Sequence, residues 1–129
     1  MAEVPDDLRY TDDHEYVRAG DERGVYVVGI TDYAQGELGD VVFVNLPAPG
    51  DSFGPHDTFG TIEAVKAVAD LYMPLAGEIV EVNGALDADP AAVNRDPYGE
   101  GWMVRIRATK PAEVDGLLTP EDYRGHIGA

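Results

Sequence analysis

Lysine occurs at two positions in this 129-residue chain, Lys66 and Lys110; the rest of its nine basic residues are arginines. A primary amine can be acylated to a stable amide, a handle that a guanidinium does not offer. Lys66 lies in the apolar stretch Ala64-Val65-Lys66-Ala67-Val68, where that handle is what distinguishes lysine from arginine. There is no cysteine, so disulfides, thiolate nucleophiles and Cys-based zinc sites are excluded. Redox chemistry, if any, must ride on an attached group. The three histidines, His14, His56 and His126, show no H-x-x-x-H spacing, which speaks against a dedicated metal site. His14, Glu15 and Asp70 are the candidates for acid–base work in an enzyme, but no nucleophile cluster or phosphate loop accompanies them.

These residues sit in a strongly acidic chain of formal charge −16, with 25 acids against nine bases. Its long-range field repels nucleic acid and anionic membranes and accelerates docking on basic protein patches; acids at this density also keep a surface soluble. No apolar run approaches the roughly 20 residues of a membrane helix. Met1-Ala2-Glu3-Val4-Pro5-Asp6-Asp7 has neither a signal-peptide nor a transit-peptide character. The expectation is a cytoplasmic monomer; a mature mitochondrial form that had lost its transit peptide would read the same. The length fits one compact domain over residues 1–129.

The elements that must hold Lys66 are short and β-rich. Gly39-Asp40-Val41-Val42-Phe43-Val44-Asn45 returns 38 residues later as Gly77-Glu78-Ile79-Val80-Glu81-Val82-Asn83, with four of seven positions identical. Two copies suit a domain of two similar halves about a pseudo-twofold axis. In each copy a glycine opens a strand, and strand period puts Val42 with Val44, and Val80 with Val82, on one face. Glu15–Arg18 and Val25–Val28 form a hairpin closed by Gly20–Gly24. Thr31 caps a short helix to Gly36, and Thr58–Ala64 is a strand. Asp89 caps a helical turn with Pro90 at its first position. Trp102–Arg107 is a strand with Trp102, Val104 and Ile106 inward and Met103, Arg105 and Arg107 outward. Thr119-Pro120-Glu121-Asp122 starts a last helix that ends near Gly125.

Lys66 falls midway between the two repeat copies, where a symmetric domain places a joining hairpin. Val65-Lys66 has none of the Asn-Gly chemistry of a tight turn, and on local grounds the segment reads as one long strand with a snorkelling lysine. A wider pattern points elsewhere. Glu63-Ala64-Val65-Lys66-Ala67, then Asp70-Leu71-Tyr72 and Pro74–Asn83, closely resemble the lipoylation segment of glycine cleavage H proteins. His14–Val17, Gly29–Gln35, Leu38–Val44, Leu46-Pro47 and Asn94–Trp102 are similar to that family in the same order.

The resemblance covers essentially the whole chain, and its implications are specific. It implies a mainly β, lipoyl-domain-like barrel-sandwich hybrid with a few short peripheral helices, one of them C-terminal. It implies a non-catalytic carrier with lipoate attached to Lys66 as N6-lipoyllysine, and a recognition role for Glu63 towards the lipoylating enzyme. Lysine plus lipoyl forms an arm of about 14 Å. In the family this arm takes an aminomethyl group from a pyridoxal-phosphate-dependent glycine decarboxylase (P protein) and delivers it to an aminomethyltransferase (T protein). Dihydrolipoamide dehydrogenase (L protein) then reoxidises the dithiol. The loaded arm rests in a cleft, whose matching positions here are Glu15 and Asp70; Asp13 and Tyr33 depart from the serine and histidine common there. A biotin carrier has methionines beside its lysine, and a 2-oxoacid dehydrogenase lipoyl domain has Asp before it; here the neighbours are Val65 and Ala67. The alternative function within the resemblance is a relay of lipoate to other enzymes.

Overall fold

A computed structural model describes residues 2–128. Its strands in chain order are β1 (Arg9–Tyr10), β2 (Glu15–Ala19), β3 (Val25–Ile30), β4 (Val41–Asn45), β5 (Ser52–Phe53), β6 (Thr58–Ala64), β7 (Val68–Tyr72), β8 (Gly77–Val82) and β9 (Val104–Ala108). They form two antiparallel sheets: six strands in the order β1-β2-β3-β9-β8-β5, and three in the order β4-β6-β7. Neither closes into a barrel. The helices are α1 (Asp32–Leu38), α2 (Ala85–Ala88), α3 (Ala92–Arg95) and α4 (Pro120–Ile127), with a 3₁₀ segment over Pro111–Gly116. Among the described residues no helix is long and apolar enough to cross a membrane.

The apolar faces of both sheets feed one core. Val17, Val28 and Ile106 of the larger sheet cluster with Val44, Ile62 and Leu71 of the smaller one, joined by Met73 and Met103. A smaller cluster under α4 contains Val4, Leu8, Tyr10, Tyr16 and Tyr123, with Tyr10 and Tyr123 stacked at 4.6 Å between ring centroids.

The predicted β2–β3 hairpin pairs from Glu15↔Ile30 to Ala19↔Tyr26. Thr31 caps α1 by accepting the Ala34 amide, and Thr119 caps α4 by accepting that of Asp122. Lys66 lies in a hairpin, so the uninterrupted strand suggested by local chemistry does not form.

Four local expectations need correction. Val42 and Val44 do not share a face: Val44 is buried and Val42 exposed, because the β4–β6 pairing slips between Val41 and Phe43. Such a bulge adds one residue and resets the alternation. The β8–β9 pairing slips between Ile79 and Glu81, the same place in the second copy. Met103 is fully buried, since β9 starts only at Val104 and the irregular backbone before it follows no two-residue period. Asp89 does not cap a helix with its side chain, which instead holds Arg95 through two bonds of 3.2 and 2.6 Å; the residue before α3 is Ala91, without a side-chain cap. Finally, α4 runs through Gly125 and stops at Gly128, whose φ of +76° gives the left-handed cap glycine accepts most readily.

Candidate functional site

β6 and β7 pair down to Glu63↔Val68, leaving Val65, Lys66 and Ala67 as the turn. The Ala64 amide donates to the Ala67 carbonyl at 2.8 Å, and the Val65 amide donates to the Asp40 carbonyl at 3.0 Å. The second bond ties the tip to the loop between α1 and β4. That loop is itself pinned by Asn94 of α3. Its carboxamide nitrogen donates to the Gly39 carbonyl and to Gln35 Oε1, both at 2.9 Å, while its oxygen accepts the Val41 amide at 2.8 Å. Nothing local in the sequence marks Asn94 for this task.

Lys66 is exposed and makes no ion pair among the described residues. Its stem lies over Gly39, where φ is +81°; a Cβ built there would come within 2.7 Å of the lysine Cε. Glycine at this position both takes the backbone angle and leaves a bed for the side chain.

Beside the tip lies a cleft of about 340 Å³ between α1 and the β7 edge. Ile30, Ala34, Leu38, Ile62, Ala69 and Leu71 give it apolar walls, and Asp13, His14, Glu15, Tyr33, Glu37 and Asp70 supply its polar groups. Both departures from the family pattern, Asp13 and Tyr33, thus line it. The sequence-predicted residues divide. Glu15 is buried, 2% exposed, whereas Asp70 is exposed at the rim and Glu63 is exposed on β6. Apolar walls, a buried carboxyl and an amine bedded on glycine fit the alkyl chain and dithiolane of the implied lipoyl group.

Glu15 is the one buried acid among those lining the cleft; Asp13, Glu37 and Asp70 are exposed. Burial pushes its carboxyl up to about 8, helped by the neighbouring Asp13 charge and opposed by bonds from the Thr11 hydroxyl and the Tyr72 amide. Thr11 donates to Oε1 at 3.0 Å and accepts the Glu15 amide at 3.1 Å. At neutral pH the group is therefore mainly uncharged. Behind it, Tyr123 of α4 lies 2.7 Å from Thr31 Oγ1 and 2.8 Å from His14 Nδ1. Burial, then His126, holds the His14 pKa down, which favours a neutral imidazole in the hydrogen bond it shares with the Tyr123 hydroxyl. The C-terminal helix is thereby fastened to the cleft wall.

The Glu15 shift has a sign that can be measured. Its ordinary value is 4.5 and its folded value about 8; between them the folded chain keeps a proton the unfolded chain has released. This contribution to stability is full below 4.5 and is lost as pH rises towards 8. The melting temperature of Glu15→Gln relative to wild type should therefore climb across that window. A difference independent of pH would mean that Glu15 ionises normally in the fold.

Comparisons with known proteins follow the same outline. The family model for the glycine cleavage H-protein matches residues 8–128. The chain is 58% identical over 125 residues to the glycine cleavage system H protein of Chlorobaculum parvum, covering 97% of this chain and 98% of that one. It is 47% identical to that of Bacteroides fragilis over the same shares. The crystal structure of a glycine cleavage system H protein from Mycobacterium marinum superposes with a TM-score of 0.88 at 42% identity, covering 98% of this chain and 100% of that one.

Proposed function

The chain belongs to the glycine cleavage H-protein family, and from that membership we propose a lipoylated carrier, built as one domain, whose attachment point is Lys66. The observation that carries the assignment is the exposed lysine at the β6–β7 tip, bedded on Gly39 beside an apolar cleft. Lipoate, once bound, supplies a disulfide that can accept an aminomethyl cargo and electrons, chemistry this cysteine-free chain lacks. The protein's own residues do the rest. The hairpin presents the amine, the cleft walls exclude water, and Glu15 supplies a buried carboxyl to pair with the cargo's ammonium. Asp70 adds a charge at the rim, and Glu63 faces the lipoylating enzyme. In this reading a monomer moves the cargo between the cytoplasmic glycine decarboxylase and aminomethyltransferase, with dihydrolipoamide dehydrogenase closing the cycle.

Intact mass and peptide mapping of protein from its native source test the assignment. Lipoylation adds about 188 Da, a covalent change that creates the function. It is expected on Lys66, with Lys110 bare. The mass on Lys110, or a biotin mass on either lysine, would refute the reading.

A further inference from the structure

Four large apolar side chains stand out as exposed among the described residues: Val42 at 54%, Phe43 at 47%, Val65 at 71% and Val68 at 69%. All lie on β4 or the lysine hairpin. Phe43 pairs with Glu63, and Glu63 with Val68, so one row across the small sheet reads Phe43–Glu63–Val68 beside Lys66. The bulge in β4 turns both Val42 and Phe43 outward, where unbroken alternation would have hidden one of them.

The second repeat copy shows that the fold does not demand this. Phe43 corresponds to Glu81, and its neighbour Glu63 to Arg105. There the bulged position carries a carboxylate paired with Arg105 at 3.3 Å, and Arg105 covers the Trp102 ring at 4.8 Å. That face is closed by its own charges. In the first copy an aromatic ring is left in water, and Glu63 has no ion-pair partner among the described residues. Exposed apolar side chains clustered around an unpaired charge mark a recognition surface.

We propose that Phe43, with Val42, Val65 and Val68 around it, is the docking anchor for the enzyme that acylates Lys66. That partner presents an apolar socket to the ring and a basic group to Glu63. The proposal rests on the reading of Lys66 as the acylated residue. Reach selects this partner over those that use the finished arm. The bare lysine extends only about 6 Å from the backbone, so an enzyme working on the amine must press against the residues around the tip. Enzymes that meet the far end of a 14 Å arm, about that length when extended, need not. Charge agrees: β4, β6 and β7 carry Glu63 and Asp70 and no base.

The test is steady-state lipoylation of the full chain by a lipoylating enzyme with an activated lipoyl donor, with the carrier as varied substrate. Phe43→Glu, which copies the residue of the second repeat, should raise the carrier KM about tenfold or more with kcat held within about twofold. Phe43→Leu should recover most of the loss. Phe43 is exposed, so the melting temperatures of both variants should match wild type. An unchanged KM in Phe43→Glu, with wild type acylated on Lys66, overturns the anchor and leaves the carrier reading standing. Wild type left unacylated at Lys66 overturns both. A concentration-dependent dimer abolished by Phe43→Glu would assign the face to a second copy of the chain and also overturn the proposal.

Discussion

Lys66→Arg is expected to reduce glycine cleavage in a reconstituted four-protein assay to background while leaving the fold intact. Arginine keeps the positive charge and most of the stem but offers no amine that forms a stable amide. The loss should be complete, because Lys110 lies just before the 3₁₀ segment, away from the β6–β7 hairpin. Stability should hardly change. Lys66 is exposed and without an ion pair among the described residues, and such surface changes usually stay within about 0.5 kcal/mol. Activity above background in a sample with wild-type thermal stability would mean that the arm on Lys66 is not what carries the cargo.

The two cleft acids should differ in how strongly they protect the cargo. Glu15 is buried, and a hydrogen bond from a charged group in such a place is worth about 1.5–3 kcal/mol. Pairing with an ammonium must first ionise a carboxyl whose pKa is about 8, which at pH 7 costs about 1.4 kcal/mol. The net advantage over Glu15→Gln is then greatest above pH 8, where the carboxylate is already formed. There the lifetime of the free, cargo-loaded carrier should shorten about tenfold or more in the variant. Asp70 is exposed at the rim, where pairs are worth about 0.2–1 kcal/mol; Asp70→Asn should shorten the lifetime less than about fivefold. Reoxidation of the unloaded carrier should be nearly unchanged in both. Loaded lifetimes equal to wild type in both variants would remove these residues from the cleft's chemistry.

What the sequence made legible follows the range of the interactions involved. The caps at Thr31 and Thr119 and the β2–β3 hairpin rest on contacts within a few residues, and they were readable. Lys66 was conspicuous by residue type, but its turn was not, since it is held by the Val65–Asp40 bond rather than by turn chemistry at Val65-Lys66. The β4 bulge breaks the two-residue period that regular pairing assumes, so period alone puts Val42 on the face of Val44. Glu15 drew attention by resemblance, but its burial depends on Thr11, Tyr72 and the walls from α1 and β7. By type Phe43 is one more apolar strand residue, and only the shifted register places it outward. Asn94 acts across 53 residues of chain on Val41, and no local signal predicts that.

The brace formed by Asn94, Gly39 and Asp40 has a consequence for aim. A swinging arm magnifies any wobble of its mount: at about 14 Å, a tilt of about 10° at the base displaces the far end by about 2.4 Å. Chemistry at that end tolerates errors of only about 0.5 Å. Because the tip is bolted through the Val65 amide to a loop that Asn94 grips at Gly39, while also holding Gln35 of α1 before it and Val41 of β4 after it, its bearing is set by the frame. In the proposed carrier, the slack that would let one arm serve several targets is then left to the rotatable bonds of the arm itself, as in a crane whose mast is rigid and whose cable is not.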